Sequence, residues 1–310
     1  MKIGFIYAGQ GSQVVGMGKS FYDHYETARK IMDSIQIDFD VKDLCFNGPI
    51  DVLSQTQYTQ PCMVACAIMA TELLKENGIE PAMSAGLSLG EYSALYSAGV
   101  MDAKTTIDLV RFRGQAMEEA AKGIESKMVA VLGLDRETLQ KCVEEASAYG
   151  VVQIANYNCP GQLVIGGEAK AVDKAAELAL ENKARRALPL NTSGPFHTSL
   201  LEKASIALAD KFKEVTFHEM LLPVIFNSTA KPLEENSTIA EMLTRQVKSS
   251  VYFEDSVRYM LSQGVDTFIE IGPGKVLSGF IRKIDKTIKC CQVEDQESLE
   301  KTLKELKGEE

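Results

Sequence analysis

The sequence predicts an α/β protein in two parts, a large body on a mostly parallel sheet and a small α/β unit inserted into it. Three observations carry that expectation. Short apolar strands alternate with helical runs toward both ends of the 310-residue chain. A Gly-x-Ser-x-Gly pattern at Gly86, Ser88 and Gly90 stands between a strand-like and a helix-like run, as in the nucleophile elbow of α/β-hydrolase-like bodies. The segment from Gly123 to Leu190 reads strand, helix, strand, strand, helix, strand, which is the order of a ferredoxin-like unit. The expected division is 1–122 with 192–310 for the body and 123–191 for the insertion.

Ile3 to Tyr7 is a continuous apolar run, the kind buried on both faces of a parallel sheet. A glycine-rich loop follows at Gly9 and Gly11, then a helix expected over Met17–Ile35. The loop lacks the third glycine of a dinucleotide fingerprint, since Val14 stands there, and no Walker lysine follows. Such a loop can instead present a bare backbone N–H to an anionic centre. Met63, Ala67, Ala70 and Leu74 mark a helix over Gln60–Asn77, stopped by Gly78 and expected to pack under the elbow strand. Ala82–Leu87 reads as a short buried strand and Glu91–Ala98 as the helix after the elbow.

Asp102 or Ala103 opens a helix to about Ala121 that carries Arg111 and Arg113. Residues two apart on a helix differ by ~200°, so at most one of them faces a given pocket, and a solvated face is the default for either. In the insertion, strands are expected at Lys127–Leu132, Val151–Asn156, Leu163–Gly166 and Ala184–Leu188, with helices at Arg136–Ala148 and Ala169–Asn182. Beyond it come a helix over Leu200–Phe212, a strand over Pro223–Asn227, helices over Ile239–Val247 and Phe253–Gln263, and a strand over Asp266–Ile271. A charged amphipathic helix, expected to be solvated, spans Glu294–Lys307.

Composition narrows the function. A chain 45% apolar and 25% charged is a globular profile, and its charge of −10 argues against broad nucleic-acid binding. Seven cysteines are an odd number with no metal-type spacing to histidine, so reduced thiols are expected. The amino terminus enters a strand without a charged leader, and no apolar run reaches the ~18 residues of a membrane span. A cytoplasmic protein is the expectation.

A serine nucleophile needs a base that accepts its proton near neutral pH, and histidine is the usual one. Of the three histidines, His24 lies on the polar part of an amphipathic run and His218 near the start of an expected strand. His197 sits in a Gly-Pro-Phe-His loop that returns from the insertion and leads into a helix, which makes it the candidate. No aspartate stands out as a third member, so a backbone carbonyl is a candidate to orient the ring. Against this stand a serine hydrolase or thioesterase with the same elbow, and a non-catalytic nucleotide-binding protein using the Gly9–Gly11 loop.

Five blocks now carry a resemblance: Phe5 to Gln13 (FIYAGQGSQ), Gly86 to Tyr92 (GLSLGEY), Arg113 to Gln115 (RGQ), Asn156 to Gln162 (NYNCPGQ) and Gly194 to His197 (GPFH). Gln246 and the run Glu270 to Gly274 (EIGPG) extend it. In this order, over essentially the whole chain, they resemble the malonyl-CoA:acyl-carrier-protein transacylase family of bacterial fatty acid synthesis. The resemblance implies Ser88 as nucleophile, His197 as general base and acid, and the main-chain N–H groups of Gln10 and Leu89 as the oxyanion hole. It implies that the region of Gln246 supplies the carbonyl orienting His197, that Arg113 grips the malonyl carboxylate, and that Asn156 belongs to the substrate site. Leu87 departs from it, standing where many relatives have histidine.

The same resemblance implies no permanently bound cofactor. Malonyl-CoA would be the donor and the phosphopantetheine thiol of an acyl carrier protein the acceptor. An acidic carrier calls for a local basic surface, with Lys183, Arg185 and Arg186, or Lys275, Arg282, Lys283 and Lys286, as candidates.

Overall fold

In the computed structural model, which describes residues 1–308, the strands form two separate sheets. Apolar runs too continuous for a one-sided sheet build the larger one. Its strands are β1 (Ile3–Tyr7), β2 (Met83–Gly86), β7 (Val224–Ile225), β8 (Thr267–Ile271) and β9 (Lys289–Val293), in the order β7-β2-β1-β8-β9 and all parallel. Every residue of β1, β2 and β8 is buried. Helices cover both faces, as parallel crossovers require.

The smaller sheet contains β3 (Ser126–Leu132), β4 (Val152–Cys159), β5 (Gln162–Glu168) and β6 (Arg186–Pro189), antiparallel, in the order β4-β5-β3-β6. That is the ferredoxin-like arrangement expected from the element order. Helices Arg136–Ala146 and Ala169–Glu181 cover one face, where Val131, Leu139, Ile165 and Val172 form a core of their own. The two parts join along β4, where the N–H of Tyr157 donates to the Val251 carbonyl at 2.8 Å and that of Val251 to the Ala155 carbonyl at 2.8 Å. Arg136 fastens the same seam, reaching Glu254 at 2.9 Å and Asp255 at 2.8 Å.

Several expectations need correction. The helix over Met17–Ile35 is two helices, Lys19–His24 and Glu26–Ser34, because Tyr25 is extended and Arg29 Nη1 caps the freed carbonyls of Tyr22 and Asp23. The helix at Gln60 starts earlier and spans Thr56–Glu76 with Pro61 inside it, and the Gln57 carbonyl that Pro61 leaves without an intrahelical donor accepts from Arg111 Nη1 at 2.7 Å. It packs chiefly on the helices Ala103–Ala121 and Glu26–Ser34 rather than under the elbow strand. The C-terminal helix Gln296–Lys307 is not fully solvated, since Leu299 and Thr302 are buried and Thr302 Oγ1 donates to the Gln292 carbonyl in β9. β9 and the helix Val276–Ile284 had no distinct sequence signal. His218 is exposed and outside any strand.

Candidate active site

The elbow forms where β2 meets the helix Gly90–Ser97. Its two glycines are required by backbone contact. A Cβ on Gly86 would fall 1.9 Å from the carbonyl carbon of Gly90, and one on Gly90 would fall 2.2 Å from the Tyr7 carbonyl oxygen. Ser88 between them has φ 53°, a left-handed conformation that costs a β-substituted residue about 1–3 kcal/mol and persists only where neighbours impose it. The neighbours are specific. Asn227 Oδ1 accepts from the Ser88 N–H at 2.7 Å, while Asn227 Nδ2 donates to the Gly86 carbonyl at 2.6 Å. On the other side of the residue, Gln246 Nε2 donates to the Ser88 carbonyl at 2.8 Å.

His197 comes from the loop after β6 and is buried, with φ 60°. Its Nε2 lies 2.6 Å from Ser88 Oγ, and its Nδ1 lies 2.9 Å from the main-chain carbonyl of Gln246. A carbonyl only accepts, so Nδ1 carries the proton and Nε2 is free to take the one on serine. Gln246 is the last residue of the helix Ile239–Gln246. Its carbonyl is among those a helix end leaves unpaired, and the negative end of the helix dipole favours an imidazolium as it forms. Burial, with Arg113 nearby as the lesser cause, holds the ring down to about 4, so it is neutral at physiological pH.

Arg113 and Arg111 part company on the helix Ala103–Ala121. Neither lies on a solvated face, which corrects the default expectation. Arg111 turns to Asp38, donating at 2.8 and 2.6 Å, and stacks on Phe39 and Tyr58. Arg113, only 1% exposed, aims Nη2 at Ser88 Oγ at 3.1 Å and at Gln246 Oε1 at 3.0 Å. Its guanidinium lies over the Tyr92 ring, and its Nε has no partner. Among the described residues no carboxylate lies within 4.0 Å of it. The buried Glu91 is no counter-ion at neutral pH, because burial raises its carboxyl to about 8.

These groups open on a cavity of about 800 Å³ between the two sheets. Gln10, Leu89 and Asn156 line it beside Ser88, Arg113 and His197, so all seven residues singled out from the sequence meet at one place once Gln246 is counted through its contacts. The main-chain N–H groups of Gln10 and Leu89 have no acceptor among the described residues. His24 and His218 are exposed elsewhere. Sequence reasoning missed Asn227, Glu91 and the side chain of Gln246. An uncharged amide after a two-residue strand gives no pattern to read, and Glu91 looks like an ordinary first-turn acid.

Chemically, this is a hydroxyl with a neutral base, two free N–H donors for an oxyanion, and a cation without a carboxylate partner among the described residues. That set suits acyl transfer of a group bearing a carboxylate.

Comparison with known proteins agrees with that chemistry. The acyl transferase domain family matches residues 4–308. A malonyl CoA-acyl carrier protein transacylase of Bacillus subtilis is 42% identical over 99% of this chain and 98% of its own length. The crystal structure of a malonyl CoA-acyl carrier protein transacylase from Clostridium perfringens superposes with TM-score 0.96 at 43% identity, covering 99% of this chain and 98% of that one. A malonyl-transacylase solved in complex with its type II PKS acyl-carrier protein gives TM-score 0.95 at 34% identity, over 98% of this chain and 100% of that one.

Proposed function

The chain belongs to the acyl transferase domain family, and from that premise we propose that it moves a malonyl group from coenzyme A to the phosphopantetheine thiol of an acyl carrier protein. It is an enzyme of fatty acid synthesis, an S-malonyltransferase working by a ping-pong route through an ester on Ser88.

In the first half, Ser88 Oγ attacks the thioester carbonyl and gives its proton to His197 Nε2. Negative charge collects on the carbonyl oxygen, facing the N–H groups of Gln10 and Leu89, each such donor typically worth ~3 kcal/mol. The C–S bond then breaks, and His197 returns the proton to the departing coenzyme A sulfur. In the second half the carrier's thiol gives its proton to His197, attacks the ester carbonyl, and regenerates the serine hydroxyl. Asn156 lines the path of the acyl arm. No permanently bound cofactor takes part in this scheme.

The observation that carries the reading is Arg113: a buried guanidinium with no carboxylate partner, 3.1 Å from the nucleophile. A planar fork suits a free carboxylate, which it binds with two parallel hydrogen bonds. A hydrolase of neutral esters has no use for a cation there, and a nucleotide-binding protein has no use for a serine–histidine pair beside the Gly9–Gly11 loop.

For the carrier, the two basic clusters support a single docking rim. Lys183, Arg185, Arg186, Lys275, Arg282, Lys283 and Lys286 are all exposed. Lys283 Nζ donates to Gln162 Oε1, and Gln162 pairs with Leu132, which pairs with Arg186. We take 1–122 with 192–310 as the body and 123–191 as the insertion, and place the enzyme in the cytoplasm. Among the described residues no helix is long and apolar enough to cross a membrane.

The test is brief incubation with malonyl-CoA followed by intact-protein mass spectrometry, with acetyl- and methylmalonyl-CoA in parallel. One malonyl mass on wild type and none on Ser88→Ala is expected. No adduct on wild type, or one that survives the substitution, defeats the assignment.

A further inference from the structure

Gln246 touches three parts of the site through three different atoms. Its main-chain carbonyl holds His197 Nδ1, its Oε1 accepts from Arg113 Nη2 at 3.0 Å, and its Nε2 donates to the Ser88 carbonyl at 2.8 Å. The last contact reaches further than Ser88. The Ser88 carbonyl and the Leu89 N–H belong to one planar trans peptide and point in opposite directions. A grip on the oxygen therefore sets where the N–H points, and that N–H faces the cleft with no acceptor among the described residues.

We propose that the Gln246 side chain is a positioning residue that aims the Leu89 N–H at the developing oxyanion and ties that aim to the Arg113 guanidinium. The role is separate from that of its carbonyl toward His197, and it rests on the reading of Leu89 and Arg113 given above. The amide is suited to it because one planar group both donates and accepts. Its carbonyl oxygen faces a cation and its NH2 faces a carbonyl, so a flipped amide would set Nε2 against Arg113 and Oε1 against the Ser88 oxygen. Only one orientation is compatible with both neighbours. Arg113 thus fixes the amide, the amide fixes the Ser88–Leu89 peptide, and the peptide fixes the oxyanion donor. The Glu91 N–H also reaches the Ser88 carbonyl, at 3.1 Å, as part of the helix, but that contact does not involve Arg113.

Side-chain substitutions keep the carbonyl on His197 and so isolate this role. Rapid-quench mass spectrometry of acyl-enzyme formation with malonyl-CoA and acetyl-CoA gives both the rate and the final fraction of Ser88 acylated. In Gln246→Met, a near-isostere that cannot donate, the final fraction is expected to match wild type. The acylation rate should fall roughly tenfold to a hundredfold for both donors, a large share of what an oxyanion donor supplies. Gln246→Glu sets a carboxylate against Arg113, so the KM for malonyl-CoA should rise at least ~10-fold while that for acetyl-CoA holds.

A Gln246→Met enzyme within twofold of the wild-type rate overturns the proposal. So does a reduced final fraction at the wild-type rate, which is what a merely structural residue would give. Loss confined to malonyl-CoA would place Gln246 behind Arg113 alone and remove the oxyanion role. Should the Met variant not fold, equal changes of KM for both donors in Gln246→Glu remove the tie to Arg113 and defeat the proposal. Wild type run alongside separates these outcomes from failure of the malonyl reading itself, which would show as no loading at all.

Discussion

Arg113 Nη2 donates to Ser88 Oγ at 3.1 Å while the same hydroxyl lies 2.6 Å from His197 Nε2, so a fixed cation borders the nucleophile and its base together. The cation favours a serine oxygen that gains negative charge and disfavours a protonated imidazole. The site is therefore set for a neutral base before substrate arrives.

This fixes the acid side of the pH profile. An imidazole held to about 4 stays a competent base well below the ordinary histidine value of about 6.5. The acylation rate of wild type, followed by rapid quench with acetyl-CoA, should fall only as pH drops toward 4. In Arg113→Ala the limb should move up, but only part of the way, because burial is the larger cause. A wild-type limb at 6.5 or above contradicts this account of the base.

The two arginines should separate stability from specificity. Arg111→Ala removes a bidentate contact with Asp38 and two ring contacts, and should cost about 2 kcal/mol in urea unfolding with the malonyl-to-acetyl preference unchanged. Arg113→Ala should do the reverse. Its kcat/KM for malonyl-CoA should fall by the equivalent of about 2–5 kcal/mol while acetyl transfer falls far less. Equal losses for both donors would remove Arg113 from the carboxylate role.

Glu91 should make the fold less stable as pH rises. Its carboxyl is protonated up to about 8 in the folded protein but ionises near its ordinary 4.5 when unfolded. The unfolded state thus releases a proton that the folded state keeps, and stability declines with rising pH through that window. Glu91→Gln cannot ionise. Thermal melts should show its Tm advantage over wild type growing from pH 5 to pH 8 and flat below 4.5. A difference independent of pH would mean that Glu91 is ionised in the fold.

The sequence alone determined most of the element types, the ferredoxin-like order of the insertion and the elbow at Ser88. Those rest on local physics: apolar periodicity, glycines where no Cβ fits, and a histidine in a loop between rigid elements. By helical periodicity it could not determine which of Arg111 and Arg113 entered the cleft, because the rotation that separates them has no direction until the helix is docked; only the family resemblance singled out Arg113. Nor could it show Asn227 and the Gln246 side chain holding the strained Ser88 peptide. An amide has no charge and no spacing rule, and it becomes a clamp only when strands and helices over a hundred residues apart are packed against one another. That decision belongs to tertiary structure, since the side-chain contacts that hold the left-handed serine are all non-local.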